Sequence, residues 1–115
     1  MEKFLFIIRE DLKVREEMMR EGLQVMTKWV ESLAQAGNYV DSEPLVSTGR
    51  QVTRNYVLSD GPFVEAKEGI SGYFLIKAEN IEQAASIAQT CPLVLRDLAQ
   101  IEVRQIMKIG DDHAG

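Results

Sequence analysis

Asp60, Glu65 and Glu68 stand close together along the chain, with Gly61-Pro62, Phe63 and Lys67 between them. Two carboxylates that share a low-dielectric site repel, so one holds its proton to higher pH, and such a pair can work as acid and base. In that arrangement Asp60 is a general base, or orients a substrate hydroxyl or amine, and Glu65 or Glu68 is its partner. A structural reading stands beside this one. Asp ahead of Gly-Pro caps its own turn, and a charged cluster on a solvated loop adds little to stability. Phe63 plugs the core after the turn or forms part of an apolar pocket wall.

Glu102 and Arg104 are two residues apart in a segment of alternating character, which puts both on one strand face. Arg104 can grip a carboxylate or phosphate through two parallel hydrogen bonds, with Glu102, Tyr73 and Arg54 as further ligand-binding candidates. The alternative is a Glu–Arg ion pair within or between subunits. Cys91, the single cysteine, precedes Pro92 at the expected end of a helix, where the dipole disfavours a thiolate. The single histidine, His113, lies in a polar tail. The spacing offers no metal-ligand set and no glycine-rich phosphate loop, so neither metal nor cofactor is expected.

These residues belong to a chain of 115 residues with 18 Asp+Glu against 13 Lys+Arg, a net charge of −5. That balance argues against nucleic acid or an anionic membrane as partner. The apolar opening Phe4-Leu5-Phe6-Ile7-Ile8 is too short for a signal peptide or a membrane span and runs into Arg9-Glu10-Asp11. A cytoplasmic location is the expectation, and one cysteine builds no disulfide framework.

The elements that must position the candidates follow from periodicity. Residues 1–9 read as a strand with Phe4, Phe6 and Ile8 on one face and Leu5 and Ile7 on the other. Residues 12–36 read as one long helix with a stripe of Met19, Leu23, Met26, Val30 and Leu33, closed by Gly37-Asn38. An irregular strand over 39–46 is confined to an edge by Pro44. Strands are expected at 51–58 and 72–77. A second helix over 80–91 is capped by Asn80 and Gln83 and buries Ile81, Ala84, Ala85 and Ala88. A link over 93–99 leads to a last strand over 100–109. This order gives an α+β fold of the ferredoxin-like, split βαβ plan, with an antiparallel sheet and both helices on one face. One domain over residues 1–109 and a flexible tail over 110–115 are expected. The first strand is apolar on both sides, and Tyr73 and Leu75 oppose Phe74 and Ile76 across the strand over 72–77. The sheet's second face therefore needs a cover, and a homodimer with two facing sheets supplies it.

The segment Ser59-Asp60-Gly61-Pro62-Phe63-Val64-Glu65-Ala66-Lys67-Glu68, followed by Gly72-Tyr73, Cys91-Pro92 and the closing Ile101-Glu102-Val103-Arg104, resembles the YCII-related, or DGPF-domain, family of small bacterial proteins. The resemblance spans most of the chain in order. It implies a dimeric α+β barrel with a cleft between two sheets, and a small polar or anionic metabolite as ligand of a binding protein or cofactor-independent enzyme. Better-studied relatives are thought to use a His and Asp pair. With His113 in the tail, that dyad does not carry over. A second implication is a non-catalytic, transcription-linked regulatory module with a protein partner, since DGPF-type sequences occur in association with sigma-factor-like regulators.

Overall fold

The computed structural model of the chain describes residues 1–59 and 68–110. Strand β1 (Glu2–Asp11) runs through the centre of a four-stranded antiparallel sheet. It pairs with β5 (Glu68–Ala78) on one side and β6 (Ala99–Gln105) on the other, and β2 (Tyr39–Pro44) extends β5, giving the order β2-β5-β1-β6. This is the strand order of the split βαβ plan. Alternation along β1 sends Phe4, Phe6 and Ile8 to one face, where they join Phe74, Ile76 and Ala78 of β5 in the core.

Among the described residues, four helices stand where two are expected. The segment read as one helix is α1 (Leu12–Glu17) and α2 (Met19–Gln35), broken at Met18, whose backbone leaves helical geometry (φ −111°, ψ 22°). No Gly or Pro marks that break. Asp11 caps α1, its carboxylate accepting from the amides of Lys13 (2.9 Å) and Val14 (3.2 Å). Gly37 closes α2 at φ +81°, a left-handed position that suits glycine. The expected helix over 80–91 is α3 (Ile81–Gln89). Asn80 caps it at the Gln83 amide, while the Gln83 side chain accepts from the Glu79 amide. The link expected over 93–99, with room for a helical turn, begins with the short α4 (Pro92–Leu95).

Burial also departs from the expected stripes. Trp29 and Leu33 anchor α2, whereas Met19 and Leu23 remain exposed; Ala84 and Ala88 anchor α3, with Ile81 exposed. The C-terminal half of α2 thus packs on the sheet, and its N-terminal half leaves space above it. Two strand expectations change as well. Residues 51–58 form no single strand but the hairpin β3 (Arg50–Val52) and β4 (Val57–Ser59), which pair with each other in a separate two-stranded sheet. The last strand ends at Gln105, not at residue 109. It faces Phe4 there, and after the Ile106 amide bonds the Lys3 carbonyl (2.9 Å), β1 has almost no backbone left to pair.

Candidate functional site

On the helix side of the sheet, the stand-off of α2 leaves a pocket of about 250 Å³. Val14, Met18, Met19, Met26 and Val30 line it from α1, α2 and their junction, Leu93, Arg96 and Leu98 from around α4, and Ile8, Phe74, Ser71 and Glu10 from the sheet. Small-ligand sites have this character: an apolar lining with a few fixed polar groups. The methionines suit it, since their unbranched, polarisable side chains adapt to a guest.

Two polar groups of this pocket are the only buried polar residues among those described, Glu10 at 7% exposure and Ser71 at 5%. Glu10 continues the core-facing alternation of Phe4, Phe6 and Ile8. Its side chain makes no hydrogen bond or ion pair among the described residues. Ser71 sits in a β-bulge. Ile8 pairs with Gly72 and Arg9 with Ile70, so Ser71 is the extra residue, and a bulge of this kind re-aims a side chain. Its hydroxyl lies 3.4 Å from the Ile8 carbonyl, a long hydrogen bond that leaves it open to a better partner. Gly72 is required beside it: a Cβ there would meet the Glu43 carbonyl oxygen at 2.9 Å and the Pro44 Cα at 3.3 Å, forcing β2 away from the sheet. The sequence pattern ends the opening strand at Arg9 and so passes over Glu10, which β1 includes. A carboxylate two residues beyond Ile8 on the buried face was the available signal.

Cys91 lies on the same side, fully buried, its Sγ 3.8 Å from the Met26 sulfur. It caps α4 rather than simply ending α3. Burial pushes its thiol pKa up; the amides of Val94 and Leu93 pull the other way, and the Glu10 carboxylate adds to the rise. The expected inertness therefore has a different cause, desolvation and not a helix C-terminus. The native state keeps this proton at pH values where an unfolded thiol, with a pKa of about 8.5, releases it. The unfolded state then binds fewer protons, so stability falls as pH rises above that value. We expect a thiol reagent to label Cys91 only in denaturant, and the denaturation midpoint to drop between pH 7 and pH 10. Rapid labelling of the native protein would contradict the assignment.

The opposite face of the sheet holds three of the residues singled out from sequence. Tyr73 and Glu102 flank Ile7 from β5 and β6, and Arg104 pairs with Leu5. Glu102 takes an ion pair from Arg9 at 3.2 Å and another from Arg104 at 3.3 Å, so the Glu–Arg pairing allowed by the spacing is present. The Tyr73 phenol is raised in pKa by desolvation, then by Asp41 and Glu43 on β2 and by Tyr39. Arg54 is not brought to this face by any strand pairing: it stands in the turn of the β3–β4 hairpin, closed by the Thr53 amide on the Tyr56 carbonyl (2.9 Å). Asp60 and Glu65, with Phe63 and Lys67, lie outside the described residues. Glu68 pairs with Asp11 at the start of β5.

A family model for the YCII-related domain matches residues 3–109. The chain belongs to the YCII-related family. No curated protein matches it. Among solved structures, it is similar to 5-chloro-2-hydroxyhydroquinone dehydrochlorinase from Burkholderia phenoliruptrix AC1100, in complex with 2,5-dihydroxybenzoquinone. The TM-score is 0.54 at 14% identity, over 93% of this chain and 95% of that one. At that identity the likeness concerns the fold alone. Within this YCII-related chain, no helix among the described residues is long and apolar enough to cross a membrane.

Proposed function

We propose that this YCII-related chain binds a small organic molecule in the pocket between α1–α2 and the sheet, as a binding protein or a cofactor-independent enzyme. The observation that carries this reading is the apolar pocket with a buried carboxylate in its lining that has no partner among the described residues. A dehydrochlorinase of the same fold, crystallised with a small hydroxylated quinone, supports the idea that this architecture accommodates such a guest. In the proposed assembly the other sheet face pairs with a second copy, and Arg104, Glu102 and Tyr73 line the space between the two sheets. The acid–base roles of Asp60 and Glu65, and the ligand role of Arg54, rest on sequence pattern alone.

The test is a thermal-shift panel of small amines, alcohols, phenols and carboxylates on the full chain. A ligand at a hundred times its Kd adds about 2.7 kcal/mol, several degrees for a domain of this size. Gly22 lines the pocket and has open space where a Cβ would stand. Gly22→Leu should therefore fill the pocket, leave stability equal or higher through better helix propensity, and abolish the hits. Hits that survive Gly22→Leu would move the site to the sheet face. A second reading, a module that docks on a protein partner, is favoured by exposed Val52, Tyr56 and Val57 on the hairpin. It predicts an empty panel.

A further inference from the structure

The pocket leaves one charge without a counterpart among the described residues. Its lining includes the carboxylates of Glu10 and Glu21 and two guanidinium groups, Arg15 and Arg96; Glu43 also borders it, at a strand position paired with Tyr73 of the opposite sheet face. Arg15 is directed elsewhere, its Nη1 donating to the Leu45 carbonyl at 2.7 Å. Glu21 and Arg96 are exposed, so water screens them. Glu10 alone is buried and lies among apolar side chains, where a charge interacts far more strongly than at the surface. No described side-chain polar atom is sealed off without a partner, so the little surface Glu10 keeps is what a guest can reach. An ionised carboxylate accepts hydrogen bonds and donates none. A buried one needs a cation or several donors to offset its lost hydration, and the described residues supply neither.

We propose that the ligand is an amine: a small molecule whose ammonium group pairs with Glu10, accepts a hydrogen bond from nothing and donates to the Glu10 carboxylate and the Ser71 hydroxyl, while its apolar body lies against Met18, Met26, Val30 and Phe74. This rests on the pocket being the ligand site. It names the class of ligand and the residue that selects it. The Phe74 ring adds a face that attracts cations, and the methionines receive a body of variable shape. An anionic ligand would meet the Glu10 charge at short range, and a neutral one would leave it uncompensated.

The experiment titrates the full chain and its Glu10→Gln variant with 2-phenylethylammonium, 2-phenylethanol and 3-phenylpropionate by calorimetry or NMR. These probes share an aromatic body and differ in head group. The expected result is that the ammonium binds the native protein at least tenfold more tightly than the alcohol, that the carboxylate binds worst, and that Glu10→Gln erases the preference. Gln is nearly isosteric and removes a buried charge that has no partner among the described residues, so the variant should be no less stable than the native protein. Equal or tighter binding of the alcohol or the carboxylate, an unchanged ammonium affinity in Glu10→Gln, or a marked loss of stability in that variant would each overturn the amine assignment while leaving the pocket intact. Failure of all three probes to bind at millimolar concentration would overturn the pocket reading with it.

Discussion

Trp29→Ala is expected to lower stability by about 3–5 kcal/mol, the range for removing a large buried aromatic side chain. The indole is 5% exposed on α2, and its ring centroid lies 4.9 Å from that of Phe74 on the central part of the sheet. Its Nε1 donates to the Thr90 hydroxyl at 2.9 Å, tying α2 to the end of α3. Truncation removes a side chain that joins α2, the sheet and the α3–α4 junction, and leaves a void beside the pocket. Domains of this size have about 5–15 kcal/mol in total, so a large fraction is lost. At about 4 °C per kcal/mol, Tm should fall by roughly 12–20 °C. Trp29→Phe keeps the ring contact with Phe74 and gives up the hydrogen bond. Thr90 still donates to the Ile87 carbonyl at 2.6 Å, so its hydroxyl is not stranded, and the cost should stay near 1 kcal/mol. Thermal unfolding followed by circular dichroism separates the two variants. Equal losses would mean that the hydrogen bond, and not the packing of the ring, holds α2 in place.

Periodicity revealed most of this architecture because strands and helices were written with clean apolar faces. The alternation in β1 and β5, the Asn80–Gln83 cap and the Gly37 stop are each local signals, and local signals survive in sequence. What was not legible depended on distant contacts. Trp29 borders the Met19–Leu33 stripe, three residues after Met26 and four before Leu33, and it is buried because the sheet, through Phe74, and Thr90 meet it there. Met19 and Leu23 belong to the stripe but face a pocket, since α2 is broken at Met18 and its start stands off the sheet. The bulge at Ser71 is an offset between two strands and cannot be read from either one alone. The site was obscured for the same reason: Glu10 looks like the first charge of a loop until ten residues of β1 are seen to pair with β5. By contrast the Glu102–Arg104 pair was visible, because two residues of one strand share a face whatever their neighbours do.

Ile7→Glu is expected to convert the proposed dimer into a folded monomer. Leu5 and Ile7 on β1, with Ile70, Tyr73 and Leu75 on β5, form an apolar band on the sheet face away from the helices. Asp41 and Glu43 border it on β2, and Glu102 and Arg104 on β6. An isologous contact that sets β2 of one copy against β6 of the other would cover the band and bring Asp41 and Glu43 towards the second Arg104. Ile7 stands at the centre of the band, between Tyr73 and Glu102. A carboxylate there would be buried without a partner, at a cost of about 3–5 kcal/mol, and beside Glu102 it would meet a like charge. The dimer should weaken by two to three orders of magnitude or more, since each 1.4 kcal/mol is about tenfold. Because Ile7 points away from the helix-side core, the monomer should keep its fold and its circular dichroism spectrum. Sedimentation at micromolar concentration gives the decision. The native chain should have twice the chain mass of 13.0 kDa and the variant the mass of one chain. A native protein that sediments as a monomer would leave the sheet face without its proposed partner, and a variant that remains dimeric would place the contact on another surface, the exposed hairpin bearing Val52, Tyr56 and Val57 being the first to test.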